Sequence, residues 1–248
     1  MLEKMQILRY INEAVKPLTE EEIATGLELE TVEELVEMKK LLADAEQKGE
    51  LILTRKGKLG LPEQLGLWVG KINRHPRGFG FLQPDDQEAE DIFVGASELN
   101  GAQHGDRVVV RIKRQAGDDP MSGKHYRAEG EVIRILDRAM KKVVGTFEKH
   151  KNYGYVIPDD RRFGGDIFIS PEGVNGAMDK DKVLVEITRF AEAKRNCEGI
   201  ITEIIGQADA VGVDTLSILY KYDLPREFPA EVLAEAEKLP EKISAEQL

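Results

Sequence analysis

Two periodicities divide the chain. In its first fifty residues apolar positions recur every three or four, the spacing of one helix face. Met5-Gln6-Ile7-Leu8-Arg9-Tyr10-Ile11 predicts a first helix, with Pro17 marking the break. Thr19 with Glu22, and Thr31 with Glu34, have the spacing of capping boxes. The first opens a short helix through Ile23-Ala24-Thr25-Gly26. The second opens a long one with Leu35, Met38, Leu41, Leu42 and Ala45 along one stripe, stopped at Gly49. Leu51–Arg55 and Lys58–Leu61, joined by Lys56-Gly57, read as a hairpin. Helix, short helix, long helix and β-wing is the outline of a winged helix-turn-helix, assigned to residues 1–66. Beyond it the pattern shortens to a period of two. Strands are predicted at about 69–73, 78–83, 91–94, 107–113 and 128–136. Five short strands in some 70 residues fit a small closed barrel of the OB type.

That barrel is predicted twice, because the sequence repeats. Gly78-Phe79-Gly80-Phe81 and Asp91-Ile92-Phe93-Val94 return as Tyr153-Gly154-Tyr155 and Asp166-Ile167-Phe168-Ile169. Gly70, His75, Asn100-Gly101-Ala102 and Asp106 return 75 residues later, and Glu129-Gly130 returns after 69. The shortfall falls in the Gly/Asp/Pro/Ser-rich loop 116–123, trimmed in the second copy. A first barrel is placed at 67–138, a second at 139–206, and a linker tail at 207–248 with a helix at about 230–238 opening at Pro229. The fold class is multidomain α and β: a winged helix followed by two tandem five-stranded OB barrels. Alternation puts Phe79 and Phe81 on one strand face, and Tyr153 and Tyr155 on another. Gly78 and Gly80 point the other way, where missing side chains let the strand curl. If Ile92 and Val94 are inside, Phe93 is outside, and Phe168 follows by the same logic. Aromatics laid on a sheet face are what single-stranded nucleic acid stacks on.

Net charge is −11, unfavourable at first sight for binding a polyanion. The acidity lies in the ends: residues 1–67 and 207–248 each carry −5, while 68–138 carries −1 and 139–206 is neutral. Basic groups flank the aromatics: Lys71, Arg74, His75 and Arg77 before Phe79, and Lys149, His150 and Lys151 before Tyr153. Local field matters more than total charge for steering a polyanion. The single cysteine, Cys197, precludes an internal disulfide and any cysteine-based zinc cluster; it reads as a packed position in a reducing, cytoplasmic protein. No apolar run is long enough to span a membrane. Asp85-Asp86 and Asp159-Asp160 tempt a metal reading, but a turn after the strand accounts for them. No metal or cofactor is assigned to the chain. His75 and His150 lack the partners a general base needs and read as loop histidines near phosphate or base.

The aromatic strands resemble the two RNA-contacting strands of cold-shock domains. With the winged helix, two barrels and a linker reading Leu224-Pro225-Arg226-Glu227-Phe228-Pro229, the whole chain resembles the N-terminal region of ribonuclease R-type 3′→5′ exoribonucleases of the ribonuclease II family. The resemblance implies a single-stranded RNA grip that feeds a nuclease domain beginning beyond Ser244–Leu248. The magnesium-binding aspartates of that domain are not in this chain, so no catalytic residue is assigned and hydrolysis is expected only of the parent protein. It also makes Phe147 a candidate, as the lone aromatic where single-domain cold-shock proteins carry a Trp-Phe pair.

The candidate RNA-binding set is thus Lys71, Arg74, His75, Arg77, Phe79, Phe81 and Phe93 in the first copy, and Phe147, Lys149, His150, Lys151, Tyr153, Tyr155 and Phe168 in the second. Two other readings stay open: a winged-helix regulator of duplex DNA, and a protein-interaction scaffold. Against the first, the presumed recognition helix opens with Glu33, Glu34 and Glu37, which would face phosphates. The winged helix is also free to assist with structured RNA or to dock a protein partner.

Overall fold

The structure, a computed structural model, describes residues 2–118, 125–191, 195–225 and 230–236. It divides into two compact units. Residues 1–141, with 160–167 and 187–198, form one; 142–159, 168–186 and 199–248 form the other.

The N-terminal part holds α1 (Lys4–Glu13), α2 (Glu20–Gly26), α3 (Val32–Gln47) and a hairpin of β1 (Ile52–Leu53) and β2 (Leu59–Gly60). Both sequence-read capping boxes form: the Thr19 and Thr31 hydroxyls accept from the Glu22 and Glu34 amides, whose carboxylates accept in return from the Thr19 and Thr31 amides. Those reciprocal bonds hold both carboxyls below their ordinary pKa, led by the Thr19 backbone bond for Glu22 and the Thr31 hydroxyl for Glu34. Ile7, Ile11, Ile23, Met38, Leu42, Ala45, Leu51 and Leu59 form the core of this part. Burying a side chain of Leu or Ile size is worth about 1.5–3 kcal/mol. Leu18 bridges to Leu59, adding an extended segment beside the hairpin.

The first barrel closes from β3 (Leu67–Arg74), β4 (Gly80–Pro84), β5 (Ile92–Val94), β6 (Arg107–Arg114) and β9 (Glu129–Asp137), in the order β3-β4-β5-β9-β6. Between β6 and β9 a small hairpin, β7 (Gly117–Asp118) with β8 (His125–Tyr126), is added; of the Gly/Asp/Pro/Ser-rich loop, 119–123 lies outside the described residues. The second barrel closes from β10 (Lys142–Lys149), β11 (Gly154–Pro158), β12 (Ile167–Ile169), β13 (Asp181–Arg189) and β14 (Cys197–Gln207), in the equivalent order β10-β11-β12-β14-β13.

The repeated motifs explain themselves as barrel joinery. A Cβ at Gly70 would overlap the Gln83 carbonyl, and one at Gly145 the Ile157 carbonyl, so both positions let adjacent strands cross closely. Asn100 and Asn175 each sit at φ 48 and donate from Nδ2 to the carbonyls of Val132 and Ile201. Buried Asp106 and Asp181 accept from the Gln103 and Met178 amides. Burial pushes the Asp106 carboxyl above its usual range, opposed by that bond, the Ala139 amide and Arg138. The acidic pairs are turn and latch. Asp86 and Asp160 accept from the amides two residues on, while Asp85 pairs with Arg107 and Asp159 with Lys182.

Outside the first barrel, Ile52 of the hairpin packs with Leu67, Val69 and Val109. In the second unit α4 (Val213–Lys221) packs against β10, a helix the sequence reading did not foresee. The foreseen tail helix is α5 (Ala230–Ala236), exposed along its length; Arg226–Pro229, the 237–238 end of that helix and Ser244–Leu248 lie outside the described residues.

Candidate nucleic-acid interface

Antiparallel pairing of β4 with β5 places Phe81 opposite Phe93. The burial pattern of β5, buried–half-buried–buried, sends Ile92 and Val94 inward and Phe93 outward. Phe79, just before β4, completes a triangle with ring centroids 5.7 Å from both Phe81 and Phe93, and 5.8 Å between those two. These are distances of mutual edge-to-face and tilted packing, and all three rings stay half-buried. His75 extends the row. It stacks on Phe79 with centroids 4.5 Å apart and planes within 5°. Its orientation comes from the turn: the His75 amide donates to the Phe79 carbonyl, and its Nδ1 accepts from the Arg77 amide at 3.1 Å.

The second barrel repeats the arrangement. Tyr153, Tyr155 and Phe168 have centroid separations of 5.9, 5.7 and 5.7 Å. His150 stacks on Tyr153 at 5.2 Å and 15°, and its amide donates to the Tyr153 carbonyl. Tyr153 is the most open of the six phenylalanine and tyrosine rings, 40% exposed. Each barrel therefore presents four rings of fixed mutual geometry on an outer face.

Of the flanking cations, Lys71, Arg77, Lys149 and Lys151 are exposed. Lys71 lies on β3 two residues from Asn73, the partner of Phe81, and so on the aromatic side. Arg74 does not join them. Its guanidinium is half-buried and donates to Gln103 Oε1 at 2.9 Å, and burial lowers its pKa. A neighbour distant in sequence has claimed the side chain.

Phe147 is a correction. It is fully buried, with 0% exposure, and occupies the barrel interior opposite Val156. The equivalent position in the first barrel, 75 residues earlier, is Ile72, also buried. Thr146 and Glu148 are the partly exposed residues around it, so Phe147 has the inward parity and cannot stack on a base. A Cβ at Gly154 would overlap the Phe147 ring and lie 2.7 Å from the Glu148 carbonyl. Gly80 faces the matching core with more room, the nearest atoms of Leu99 and Ile72 lying 3.3 and 3.4 Å from its Cβ position. Gly78 serves a different end from the predicted strand curl, supplying φ 98 in the turn that brings His75 over Phe79.

Two residues outside the sequence-read set belong here. Arg127 holds its guanidinium 5.5 Å from the Phe81 centroid, and Arg114 lies 3.9 Å from that of Tyr126. Both adjacencies cross strands, and no spacing along the chain announces them. Cys197 is buried, and burial pushes its thiol up to about 11, as befits a packed residue.

Comparison with known proteins places this geometry in a family. Residues 70–135 match the Ribonuclease B OB domain, and residues 155–229 match the Cold shock domain. Ribonuclease R of Acidithiobacillus ferrooxidans is 33% identical over 96% of this chain and 52% of its own length. Ribonuclease R of Thermotoga maritima is 30% identical over the whole chain and 34% of its own. The chain thus spans about half of the first relative and about a third of the second. Among solved structures, Mycoplasma genitalium RNase R in complex with ribose methylated single-stranded RNA superposes with a TM-score of 0.57 at 22% identity, over 72% of this chain and 27% of that one. Yeast Ssd1, a pseudonuclease, gives 0.54 at 18% identity, over 66% and 26%; these likenesses show the fold. With two OB-type barrels in tandem and full-length matches to their N-terminal part, the chain belongs with the N-terminal region of the ribonuclease R family.

Proposed function

We propose that this chain grips single-stranded RNA on the two aromatic platforms and guides it to a nuclease domain of a ribonuclease R-type 3′→5′ exoribonuclease. The observation that carries the reading is the matched pair of outward-facing ring clusters, one on each barrel, flanked by exposed lysines and arginines. Stacking on aromatics is sequence-tolerant because every base has a π face, at about 1–3 kcal/mol per base. Such a grip suits an enzyme that must pass any sequence. Solution of an RNase R with single-stranded RNA bound supports the substrate class.

In this reading residues 1–66 are a winged helix, 67–138 and 139–206 the two RNA-holding barrels, and 207–248 the lead into the nuclease domain, where magnesium would be bound. The parent works in the cytoplasm; among the described residues no helix is long and apolar enough to cross a membrane. The acidic first turn of α3, with Glu33 and Glu34, argues against duplex DNA as the ligand of the N-terminal part and leaves it to structured RNA or a protein partner.

The test is a titration of labelled single-stranded RNA and of duplex DNA at two salt concentrations, on the wild type and on a variant with Phe79, Phe81, Tyr153 and Tyr155 all changed to Ala. Expected are preference for the single strand, a log–log salt slope of about −0.7 per phosphate contacted, loss of affinity in the variant, and no release of mononucleotides with or without Mg²⁺. Equal RNA affinity in the variant would return the chain to a scaffold role. Tighter binding to duplex DNA would make it a DNA-binding protein.

A further inference from the structure

The two platforms are not equal, and the inequality traces to the hairpin β7–β8. Between the repeated Asp-x-Val-x-Val and Glu-Gly motifs the offset falls from 75 to 69, so the first copy holds six residues more. That surplus builds the hairpin, and the residue that follows it is Arg127.

Three observations fix Arg127 against the platform. First, Arg114 lies over the Tyr126 ring at 3.9 Å and pairs with Glu129 at 3.3 Å, so the hairpin base is tied to β6. Gly117, the partner of Tyr126, leaves room for that ring: the Tyr126 hydroxyl lies 2.9 Å from where its Cβ would be. Second, the Ala128 carbonyl accepts from the Phe93 amide at 2.8 Å, and Phe93 pairs in parallel with Glu129. The chain around Arg127 is therefore hydrogen-bonded to the strand that carries Phe93. Third, the guanidinium lies 5.5 Å from the Phe81 centroid, is exposed, and among the described residues has no carboxylate partner. Glu129, the nearest acid in sequence, is taken by Arg114. In the second copy, the offset of 69 that aligns Glu129-Gly130 with Glu198-Gly199 puts Asn196 at this place.

We propose that Arg127 is an RNA-stacking residue of the first barrel, its planar guanidinium continuing the Phe81–Phe93 surface onto the segment between β8 and β9 and holding an RNA base against it. The inference rests on the reading of that platform as a single-stranded RNA site. A guanidinium plane stacks on a π system as an aromatic ring does, and a lysine ammonium lacks the plane. The first barrel thereby holds RNA more tightly than the second.

The test measures binding of a labelled oligouridylate of about 12 nucleotides by the full chain and its variants R127A, R127K, F81A and F81A/R127A, at two salt concentrations, with thermal unfolding of each as a folding check. Expected is a loss of about three- to tenfold in R127A that R127K does not recover, a salt slope changed by much less than 0.7, and a double variant no weaker than F81A within about twofold. If F81A loses affinity while R127A binds as the wild type, the proposal fails and the platform reading stands. Full recovery in R127K with a slope reduced by about 0.7 in R127A makes Arg127 a phosphate contact and overturns the stacking role. If F81A too leaves binding unchanged, the platform reading falls, and this inference with it.

Discussion

The two barrels fill one architecture with different side chains. Strand order, Asn-Gly-Ala loop, buried aspartate and strand-end latch are common to both. The first has Ile72 in its core and three phenylalanines outside; the second has Phe147 in its core and two tyrosines with one phenylalanine outside. Bulk has moved inward in the second copy, against a glycine common to both: a Cβ at Gly154 would overlap the Phe147 ring, whereas one at Gly80 would lie 3.3 Å from its nearest neighbour, Leu99. The outer rings kept their centroid separations within 0.2 Å through the same divergence. Cores tolerate compensated exchanges of volume, whereas a stacking surface is defined by where its rings lie. That the ring geometry of the face is kept through the Ile72-to-Phe147 exchange beneath it is what a binding role for the face requires.

The comparison breaks most easily in the core. Phe147→Ala is expected to cost about 3–5 kcal/mol in the second barrel, near the upper end of the 2–5 kcal/mol for Ile72→Ala in the first. Gly154→Ala forces a methyl group into the Phe147 ring and is expected to cost about 1–3 kcal/mol, while Gly80→Ala, with 3.3 Å to its nearest neighbour, costs less. Adding Phe147→Ile to Gly154→Ala makes the second core resemble the first and recovers part of the loss. Hydrogen exchange of β4 and β11 amides reads each barrel separately. Equal costs for the two glycine variants would mean that Phe147 and Gly154 are not a compensated pair.

Next in size is the outer face. Replacing Phe79, Phe81 and Phe93 together by Ala, or Tyr153, Tyr155 and Phe168 together, is expected to weaken single-stranded RNA binding by about 1–3 kcal/mol per stacked base lost, with the first set costing more. Neither triple variant should unfold its barrel, since all six rings are half-buried or exposed. A larger loss from the second set reverses the ranking of the platforms.

How much of this could be read beforehand follows from the range of each interaction. Period-two alternation and the repeat located the six rings, because both are local patterns. The capping boxes of α2 and α3 were legible for the same reason. Phe147 was misassigned by analogy with a Trp-Phe pair, although Thr146 and Glu148 on either side already gave its parity. Arg74 sits among bases in sequence, yet Gln103, 29 residues away, holds it. Arg127 reaches Phe81 across two strand pairings, and α4 lay in a segment read as linker. For Arg74, Arg127 and α4 the deciding partner was far along the chain, where neither spacing nor propensity carries information, whereas for Phe147 the local parity was the better guide.

The smallest difference is the hydroxyl groups, and it separates two ways in which the second platform can work. Tyr153 and Tyr155 each add a phenolic O–H to a ring that otherwise matches Phe79 or Phe81. If the rings act only as stacking surface, Tyr153→Phe with Tyr155→Phe leaves RNA affinity unchanged, and the platforms differ only through Arg127. If the hydroxyls bond to sugar or phosphate, the double change costs about 0.5–1.5 kcal/mol per bond, and the reciprocal pair Phe79→Tyr with Phe81→Tyr gains nothing unless the RNA path over the first barrel is the same. Tyr153, at 40% exposure, keeps its hydroxyl wet without RNA, so any such bond replaces one to water and its net worth lies at the low end of that range. The expected outcome is a loss of at most about threefold, measured by titration with the same oligouridylate used for Arg127. A tenfold loss would make the second barrel a hydrogen-bonding site, different in kind from the first.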